Sequence, residues 1–308
     1  MQESSPDGWG PAAPPEQPTL FVNPKSGNGT AERVALAERA RERGIEVVVL
    51  GAGGRLAALV DEAVRRGADV LGMAGGDGSM AVVATASHAH DLPFVCVPAG
   101  TRNHFALDLG LDADDPVGAL DAFTDGAERT IDLGRVNDRV FLNNVSLGIY
   151  GEAVRHPTYR DAKVRTLVET TREVLDGTEA APELEVVDDV GREHRRPPLV
   201  LVSNNPYALD SPAAHGARPT LDSGLLGVIL LAEPGTTPAP LRAWSATSLT
   251  VDAPGTVHAG IDGEAVDLSP PLELRIVPRG LRARIPARRA RELRRQASAE
   301  RPRPPQDG

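Results

Sequence analysis

The sequence has 308 residues, of which 41% are hydrophobic and 25% charged, with a formal net charge of −10 at pH 7. This balance is typical of a folded globular protein of about two domains, and the acidic charge argues against nucleic-acid binding. No run approaches the roughly 18 apolar residues that a membrane-spanning helix needs, and one cysteine, Cys96, excludes an internal disulfide and fits a reducing cytoplasm.

The two ends of the chain differ in composition from the rest. Residues 1–18 contain Gly, Pro, Ser and acidic residues without an apolar stretch, so we expect a disordered arm rather than a targeting segment. Near the other end, eight arginines between Arg279 and Arg295 are opposed only by Glu292. Such a cluster is either a solvated, partly helical tail or a surface for anionic lipid, and the sequence leaves both open.

From Thr19 onward, short apolar runs alternate with stretches of helical periodicity. The predicted strands are Leu20–Val22, Ile45–Leu50, Asp69–Met73 and Phe94–Val97, and the predicted helices are Ala31–Arg43, Leu56–Arg66 and Ser79–Ala89. This alternation predicts a nucleotide-binding α/β domain over residues 19–130, with a mainly parallel sheet and helices on both faces. Ligands of such sheets bind at the carboxyl ends of the strands.

After about Thr130 the pattern changes to short strands separated by turn residues. The predicted strands are Arg139–Val145, Leu184–Val187, Leu199–Val202, Leu226–Ala232, Ala246–Val251, Thr256–Ile261 and Leu272–Val277, and one long helix is predicted at Asp161–Leu175. This spacing predicts an antiparallel β-sandwich domain over residues 131–286, followed by a basic tail over residues 287–308.

The strongest local motif is Gly75-Gly76-Asp77-Gly78-Ser79, between a predicted strand and a predicted helix. Glycines let the backbone approach a phosphate, and a helix start offers free N–H groups and a partial positive charge. The Asp77 carboxylate would repel a phosphate unless Mg²⁺ or a ribose hydroxyl lay between them. The alternative is a tight turn in which Asp77 or Ser79 caps the helix.

Two further polar loops follow predicted strands. They are Asn23-Pro24-Lys25-Ser26-Gly27 and Pro98-Ala99-Gly100-Thr101-Arg102-Asn103. Either loop alone is an ordinary turn. Three polar glycine loops at successive strand ends instead predict one cleft that binds phosphate and ribose.

A fourth motif, Ile261-Asp262-Gly263-Glu264, places two carboxylates around a glycine after a β-branched strand. Asp-Gly is also a common signal for a hairpin turn. In a phosphoryl transfer, Asp262 or Glu264 would take the proton from the attacking hydroxyl. The sequence alone does not choose between the two carboxylates.

These four motifs, with Phe141–Gly148 and the closing Pro271–Pro286, stand in the order seen in the diacylglycerol-kinase-like family. The chain resembles that family over roughly residues 20–286. The resemblance implies a cytoplasmic lipid kinase, peripheral to the inner face of the membrane, that uses ATP and Mg²⁺. It implies transfer of the γ-phosphoryl group to diacylglycerol or a related lipid alcohol, with the lipid substrate met at the membrane surface.

The resemblance also implies roles for particular residues. The ATP phosphates would bind at Gly75, Gly76, Asp77, Gly78 and Ser79, with Asn23, Ser26, Thr101 and Asn103 in the same nucleotide cleft. The carboxylate that matches Glu264 is implied as the general base, with Asp262 beside it. A final strand of the second domain is implied to return to the first domain.

The sequence departs from the family pattern at several positions. Ala81-Val82 replace the usual Asn-Glu, Leu50 stands where a nucleotide-contacting Thr is frequent, and His104 replaces the usual Asp. Ser223 interrupts the Asp-Asp-Gly-Leu of a structural Mg²⁺ site found in some bacterial members. We therefore expect reduced ATP affinity, and the sequence leaves open whether the structural metal site is retained.

Two alternative functions follow from these features. An NAD-kinase-like enzyme would share the glycine–aspartate loop, although the Thr-Ala-Tyr-type segment of that family is not found. A non-catalytic pseudokinase that binds lipid or nucleotide would explain the departures. Neither the particular lipid nor the oligomeric state is specified by the sequence.

Overall fold

The computed structural model describes residues 8–51, 55–148, 183–209, 217–231 and 241–300. These residues form two compact units. Unit 1 contains those up to Thr130 and those from Leu281 onward, and unit 2 contains those within Ile131–Gly280. The predicted helix Asp161–Leu175 lies outside the described residues.

The elements are named in chain order. The first are β1 Gly10–Pro11, β2 Pro18–Val22, α1 Thr30–Arg33, α2 Leu36–Glu42, β3 Glu46–Val49, α3 Leu56–Arg65, β4 Val70–Gly75, α4 Asp77–Ala89, β5 Phe94–Pro98, α5 His104–Asp108 and α6 Pro116–Ala119. The next are β6 Gly126–Val136, β7 Arg139–Phe141, β8 Asn144–Gly148, β9 Glu185–Asp188, β10 Glu193–Arg195, β11 Leu199–Asn204 and β12 Leu226–Leu231. The last are β13 Leu241–Ala246, β14 Ser248–Asp252, β15 Val257–Ile261, β16 Glu264–Leu268, β17 Leu272–Pro286 and α7 Ala287–Glu300.

The centre of unit 1 is a parallel sheet in the strand order β5–β4–β2–β3. Strands β2, β4 and β5 are buried along their whole length, as expected for strands covered on both faces, whereas the edge strand β3 is partly exposed. Leu20, Val95 and Phe123 belong to the buried core of this unit. The second part of β17 joins the same sheet, since Ala283 pairs with Phe94. The predicted α/β class is therefore confirmed.

Two local features of unit 1 differ from the predictions. The predicted helix Ala31–Arg43 is two short helices, because Ala35 adopts a left-handed conformation with φ of 49°. The expected disordered arm is wrong for residues 9–11, because Trp9 is only 4% exposed and Gly10–Pro11 pairs with β6. The buried tryptophan and the pairing with β6 together hold this stretch against unit 1.

The basic segment after Pro286 is helix α7, which is part of unit 1. Ala287 and Ala290 are buried, and Arg288 lies 3.2 Å from a carboxylate oxygen of Asp115. Arg294 donates a hydrogen bond to the carbonyl of Trp9. The segment is therefore a packed helix rather than a solvated tail, with several of its arginines bonded within the unit.

Unit 2 contains antiparallel strands in two layers. One layer has the order β13–β12–β11–β8–β15–β16, and the other includes β10–β9–β14 and the first part of β17. Inward-facing residues such as Phe141, Val200 and Leu274 form a single buried cluster. This arrangement confirms the predicted antiparallel β-sandwich. The predicted strand Arg139–Val145 is divided into β7 and β8, and residues 142–143 connect them.

Candidate functional site

The three predicted glycine loops follow neighbouring strands of unit 1. Strands β2, β4 and β5 are adjacent and parallel, so their carboxyl ends lie at one edge of the sheet. We name the glycine-loop edge as the loops Asn23–Gly27, Gly75–Ser79 and Pro98–Asn103. The structure therefore brings together the unit 1 residues predicted to bind nucleotide.

Glycine is required where these loops touch. A methyl group at Gly100 would lie 2.8 Å from the Cα of Gly76 and 2.9 Å from the carbonyl oxygen of Gly75. A methyl group at Gly27 would lie 2.6 Å from the carbonyl oxygen of Ala99, and Gly27 also has a positive φ of 57°. Because backbone atoms cannot move aside as a flexible side chain can, the close fit depends on glycine.

Gly76 has the opposite surroundings. A methyl group there would meet nothing within 4 Å, so open space lies beside the start of α4. Asp77 is the first residue of this helix, and the Met80 N–H donates to the Gly76 carbonyl at 3.1 Å. The first N–H groups of a helix have no partner within the helix and carry a partial positive charge. Open space beside the N–H groups of a helix start suits an anionic group such as phosphate.

Asp77 is buried, at 8% exposure. Burial raises the pKa of the Cys96 thiol well above its ordinary value, and the Asp77 carboxylate raises it further. The thiol lies 3.3 Å from the sulfur of Met80. Cys96 is thus a buried core thiol that stays protonated.

The other predicted nucleotide contacts divide into two kinds. Asn103 braces its own loop, since its Oδ1 accepts the Gly100 N–H at 3.0 Å and its Nδ2 donates to the Gly100 carbonyl at 3.2 Å. Asn23 accepts the Lys25 N–H at 3.1 Å. Ser26 is partly exposed and Thr101 is exposed, so both hydroxyls are accessible.

Four of the residues that depart from the family pattern, Leu50, Ala81, Val82 and His104, lie in unit 1. His104 is exposed at the first position of α5, and Ala81 and Val82 are half-buried in α4. The N–H of Leu50 donates to the carbonyl of Val22 at 2.8 Å, just after β3. These positions lie close in sequence to the three loops.

In unit 2, the Asp262-Gly263 pair forms the two-residue turn of the β15–β16 hairpin. Ile261 pairs with Glu264, and φ is 48° at Asp262 and 85° at Gly263. Two successive positive φ values are typical of a hairpin turn with Asp-Gly at its centre. Glu264 is exposed at the first position of β16.

The carboxylate of Asp262 does not face solvent. Its Oδ2 accepts the N–H of Leu142 at 2.8 Å, and its Oδ1 accepts those of Asn143 at 2.7 Å and Asn144 at 3.2 Å. Burial raises the pKa of Asp262 to about 6, while these hydrogen bonds and the positive charge of Arg218 act in the opposite direction.

A buried polar network around this turn was not predicted. Arg218 is 4% exposed and donates to the carbonyls of Leu142 at 2.6 Å and Asn204 at 2.7 Å. The side chain of Asn204 donates to the carbonyl of Asp132 at 3.0 Å. A signal was present in the asparagine pairs 143–144 and 204–205, which mark polar strand ends, but nothing local connects them to Arg218.

The family's structural metal was tested at Asp222-Ser223-Gly224-Leu225. The Ser223 hydroxyl donates to Oδ1 of Asn205 at 2.6 Å. Both oxygens of the nearby Asp132 accept N–H groups, from Gly224 at 2.7 Å and from Arg279 at 2.8 Å. A hydroxyl therefore stands where the family has its second carboxylate, and it is bonded to Asn205, so the residues do not fit the structural metal. Across the described ranges, no three His, Cys, Asp or Glu side chains form a group that could hold a metal ion.

Sequence comparison adds a family to this geometry. Residues 17–136, which contain all three loops of the glycine-loop edge, match the family model of the diacylglycerol kinase catalytic domain. This segment belongs to that family. The family assignment agrees with the resemblance drawn from the motifs.

Two curated relatives are similar over the same part of the chain. A diacylglycerol kinase of Mycobacterium tuberculosis (strain ATCC 25618 / H37Rv) is 37% identical over 124 residues, which are 39% of this chain and 40% of the relative. A Pseudomonas aeruginosa protein named "Probable lipid kinase YegS-like" is 34% identical over 141 residues, 45% of this chain and 46% of the relative. Each match spans less than half of the relative's length.

A solved structure extends the likeness to both units. The crystal structure of a diacylglycerol kinase from Bacillus anthracis str. Sterne has a TM-score of 0.63, covering 88% of this chain and 97% of that chain. The sequence identity is 16%, so this similarity shows the fold alone.

Proposed function

We propose that this chain is a lipid kinase that transfers the γ-phosphoryl group of ATP to the hydroxyl of diacylglycerol or a related lipid alcohol. The observation that carries the proposal is the glycine-loop edge, which lies within the segment of the diacylglycerol kinase catalytic domain family. The names of the M. tuberculosis and P. aeruginosa relatives support a lipid acceptor.

We assign phosphate binding to the backbone N–H groups at the start of α4. The open space at Gly76 and the partial positive charge of the helix suit this role. Mg²⁺ bound with ATP would neutralise charge on the phosphates, and the Asp77 carboxylate would hold that ion. The Ser26 and Thr101 hydroxyls and the Asn23 amide would contact the nucleotide.

We assign proton acceptance to Glu264 rather than Asp262. A general base needs a free carboxylate oxygen within hydrogen-bond reach of the acceptor hydroxyl. Both oxygens of Asp262 already accept backbone N–H groups, whereas Glu264 is exposed. Asp262 would then hold the turn on which Glu264 stands.

We extend the proposal to the place of reaction. A lipid acceptor requires the enzyme to work at a membrane surface, which we take to be the cytoplasmic face. In the part of the chain that the structure describes, no helix is both long and apolar enough to cross a bilayer. Exposed arginines of α7, including Arg291 and Arg295, would attract anionic lipid.

The test is a panel of lipid alcohols incubated with γ-labelled ATP and Mg²⁺, with NAD as a further acceptor. We expect label in one or more lipids and none in NAD, and loss of that label in Asp77→Asn with an intact thermal transition. Label in NAD would favour an NAD kinase. Nucleotide binding without label in any acceptor would favour a pseudokinase, the alternative suggested by Ala81, Val82 and His104.

A further inference from the structure

The segment 142–144 of unit 2, which leads from β7 into β8, is held from two sides by distant side chains. On one side, the Asp262 carboxylate accepts three consecutive N–H groups, at 2.7 to 3.2 Å. The Asp262 N–H also donates to the carbonyl of Asn144 at 3.0 Å. Four hydrogen bonds therefore join the tip of the β15–β16 hairpin to this segment.

On the other side, Arg218 binds the same segment. Its Nη1 donates to the Leu142 carbonyl at 2.6 Å, and its Nη2 donates to Oδ1 of Asn143 at 2.8 Å. The N–H of Leu142 thus donates to the Asp262 carboxylate, and the carbonyl of Leu142 accepts from the Arg218 guanidinium. Each bond polarises the next, so the two charged groups stabilise each other through the backbone between them.

A β-hairpin does not require the buried charges found here. Asp-Gly forms a two-residue turn without any buried charge. Removing an arginine and an aspartate from water costs several kcal/mol for each ion unless hydrogen bonds compensate. Here Arg218 is 4% exposed and Asp262 is 9% exposed, and both are extensively hydrogen-bonded. Their joint effect is to fix the hairpin tip against residues 142–144.

The fixed hairpin tip determines the position of Glu264. This residue is exposed and lies two positions after Asp262, at the far side of the turn. Its position therefore depends on the backbone that carries it, and a displacement of about 1 Å is enough to cost about 10²-fold in rate.

We propose that Arg218 and Asp262 clamp residues 142–144 between them and thereby fix Glu264, so that Arg218 is a positioning residue for phosphoryl transfer. The inference rests on the proposed function for the role of Glu264. The clamp itself is independent of that function and has its own readout.

The experiment compares Arg218→Gln and Arg218→Lys with Arg275→Gln, an exposed arginine of the same unit. Backbone hydrogen exchange measures the clamp, while kcat for lipid phosphorylation and the Kd for ATP measure its consequence. In Arg218→Gln, we expect exchange at residues 142–144 and 261–264 to rise about 10-fold. We expect kcat to fall about 10²-fold with an unchanged Kd for ATP, well below the melting temperature. Arg218→Lys should recover part of both losses, and Arg275→Gln should match the wild type.

The outcomes separate the two proposals. Unchanged exchange at 261–264, or a kcat equal to that of Arg275→Gln, would overturn the positioning role. If Arg218→Gln does not fold, Asn143→Ala removes one acceptor of the guanidinium and should give smaller changes in the same directions. A folded wild type without turnover would overturn the proposed function, and hydrogen exchange alone would then support or overturn the clamp.

Discussion

The glycine-loop edge of unit 1 is formed by backbone, whereas the Asp262 turn of unit 2 is held by buried charged side chains. At the edge, Gly27 and Gly100 allow loops to touch, and Gly76 leaves open space beside a helix start. At the turn, Asp262 and Arg218 satisfy a neighbouring backbone segment. Unit 1 is therefore most sensitive to added atoms, and unit 2 to the loss of a charge or an acceptor.

The largest effect is expected from substitution of Glu264, the exposed residue that follows the Asp262 turn. Glu264→Gln should lower kcat for lipid phosphorylation by about 10²–10⁴-fold, because the amide cannot accept the hydroxyl proton. The Kd for ATP should change little, since the substitution lies in unit 2 and the loops for nucleotide in unit 1. Steady-state kinetics and nucleotide titration measure the two quantities.

Glu273→Gln is the matched control for this substitution, because Glu273 is an exposed glutamate of the same unit. It should leave kcat unchanged. Normal kcat in Glu264→Gln would mean that the Asp-Gly turn is a hairpin without a catalytic role.

Two alanine substitutions test the glycine-loop edge in opposite ways. Gly100→Ala places a methyl group against the backbone of Gly75 and Gly76, and overpacking of this kind costs about 1–3 kcal/mol of stability. Gly76→Ala meets nothing within 4 Å and should leave the melting temperature almost unchanged. Both should weaken ATP binding, the first by displacing the loops and the second by filling the proposed phosphate space. Thermal unfolding and ATP titration distinguish them, and equal stability of the two variants would contradict the steric argument.

The same contrast explains how much the sequence could predict. The loops at Gly75–Ser79 and Pro98–Asn103 carry their function in consecutive residues, so local patterns locate them and strand alternation places them together. The carboxylate of Asp262 accepts the N–H of Leu142 and feels the positive charge of Arg218, and both residues are far away in sequence. Only the register of the sandwich brings these residues together, and a single sequence does not reveal that register.

Other differences have equally local causes. The average composition of the N-terminal residues predicts disorder, yet Trp9 is buried and Gly10–Pro11 pairs with β6. The arginine count after Pro286 allows either a solvated tail or a surface for anionic lipid, and it does not show that Arg288 and Arg294 bond within unit 1. Composition therefore described these ends less well than single side chains did.

Asp262→Asn tests the charged side of the comparison. The amide keeps the volume but places an N–H₂ group against a backbone N–H that needs an acceptor. Since an unsatisfied buried donor costs about 1–3 kcal/mol, we expect the variant to be less stable by about that amount near pH 4. Asp138→Asn, at a fully exposed aspartate of the same unit, is the control and should have little effect.

The pH dependence gives this prediction a second measurement. The folded-state pKa of Asp262 is raised to about 6 from an ordinary value of 3.8, so the folded protein binds more protons between about pH 4 and pH 6. The contribution of Asp262 to the free energy of unfolding is greatest below about pH 4 and falls as the pH rises to 6. The difference between wild type and Asp262→Asn should therefore shrink over this window in urea unfolding at several pH values. A constant difference would show that burial does not raise the pKa.

The smallest effect is expected for the exposed charges of α7. Deletion of the helix would confuse two effects, because Ala287 and Ala290 are buried and Arg294 binds the carbonyl of Trp9. A single substitution, Arg295→Gln, removes charge at an exposed position instead. If α7 meets anionic lipid, this change should weaken vesicle binding by about 1 kcal/mol, or about 5-fold. The loss should disappear at high salt, where the Debye length falls to about 3 Å.

Vesicle co-sedimentation at low and high salt measures this loss, with Arg242→Gln in unit 2 as the exposed control. Equal binding by wild type and both variants at low salt would place the docking surface outside this helix.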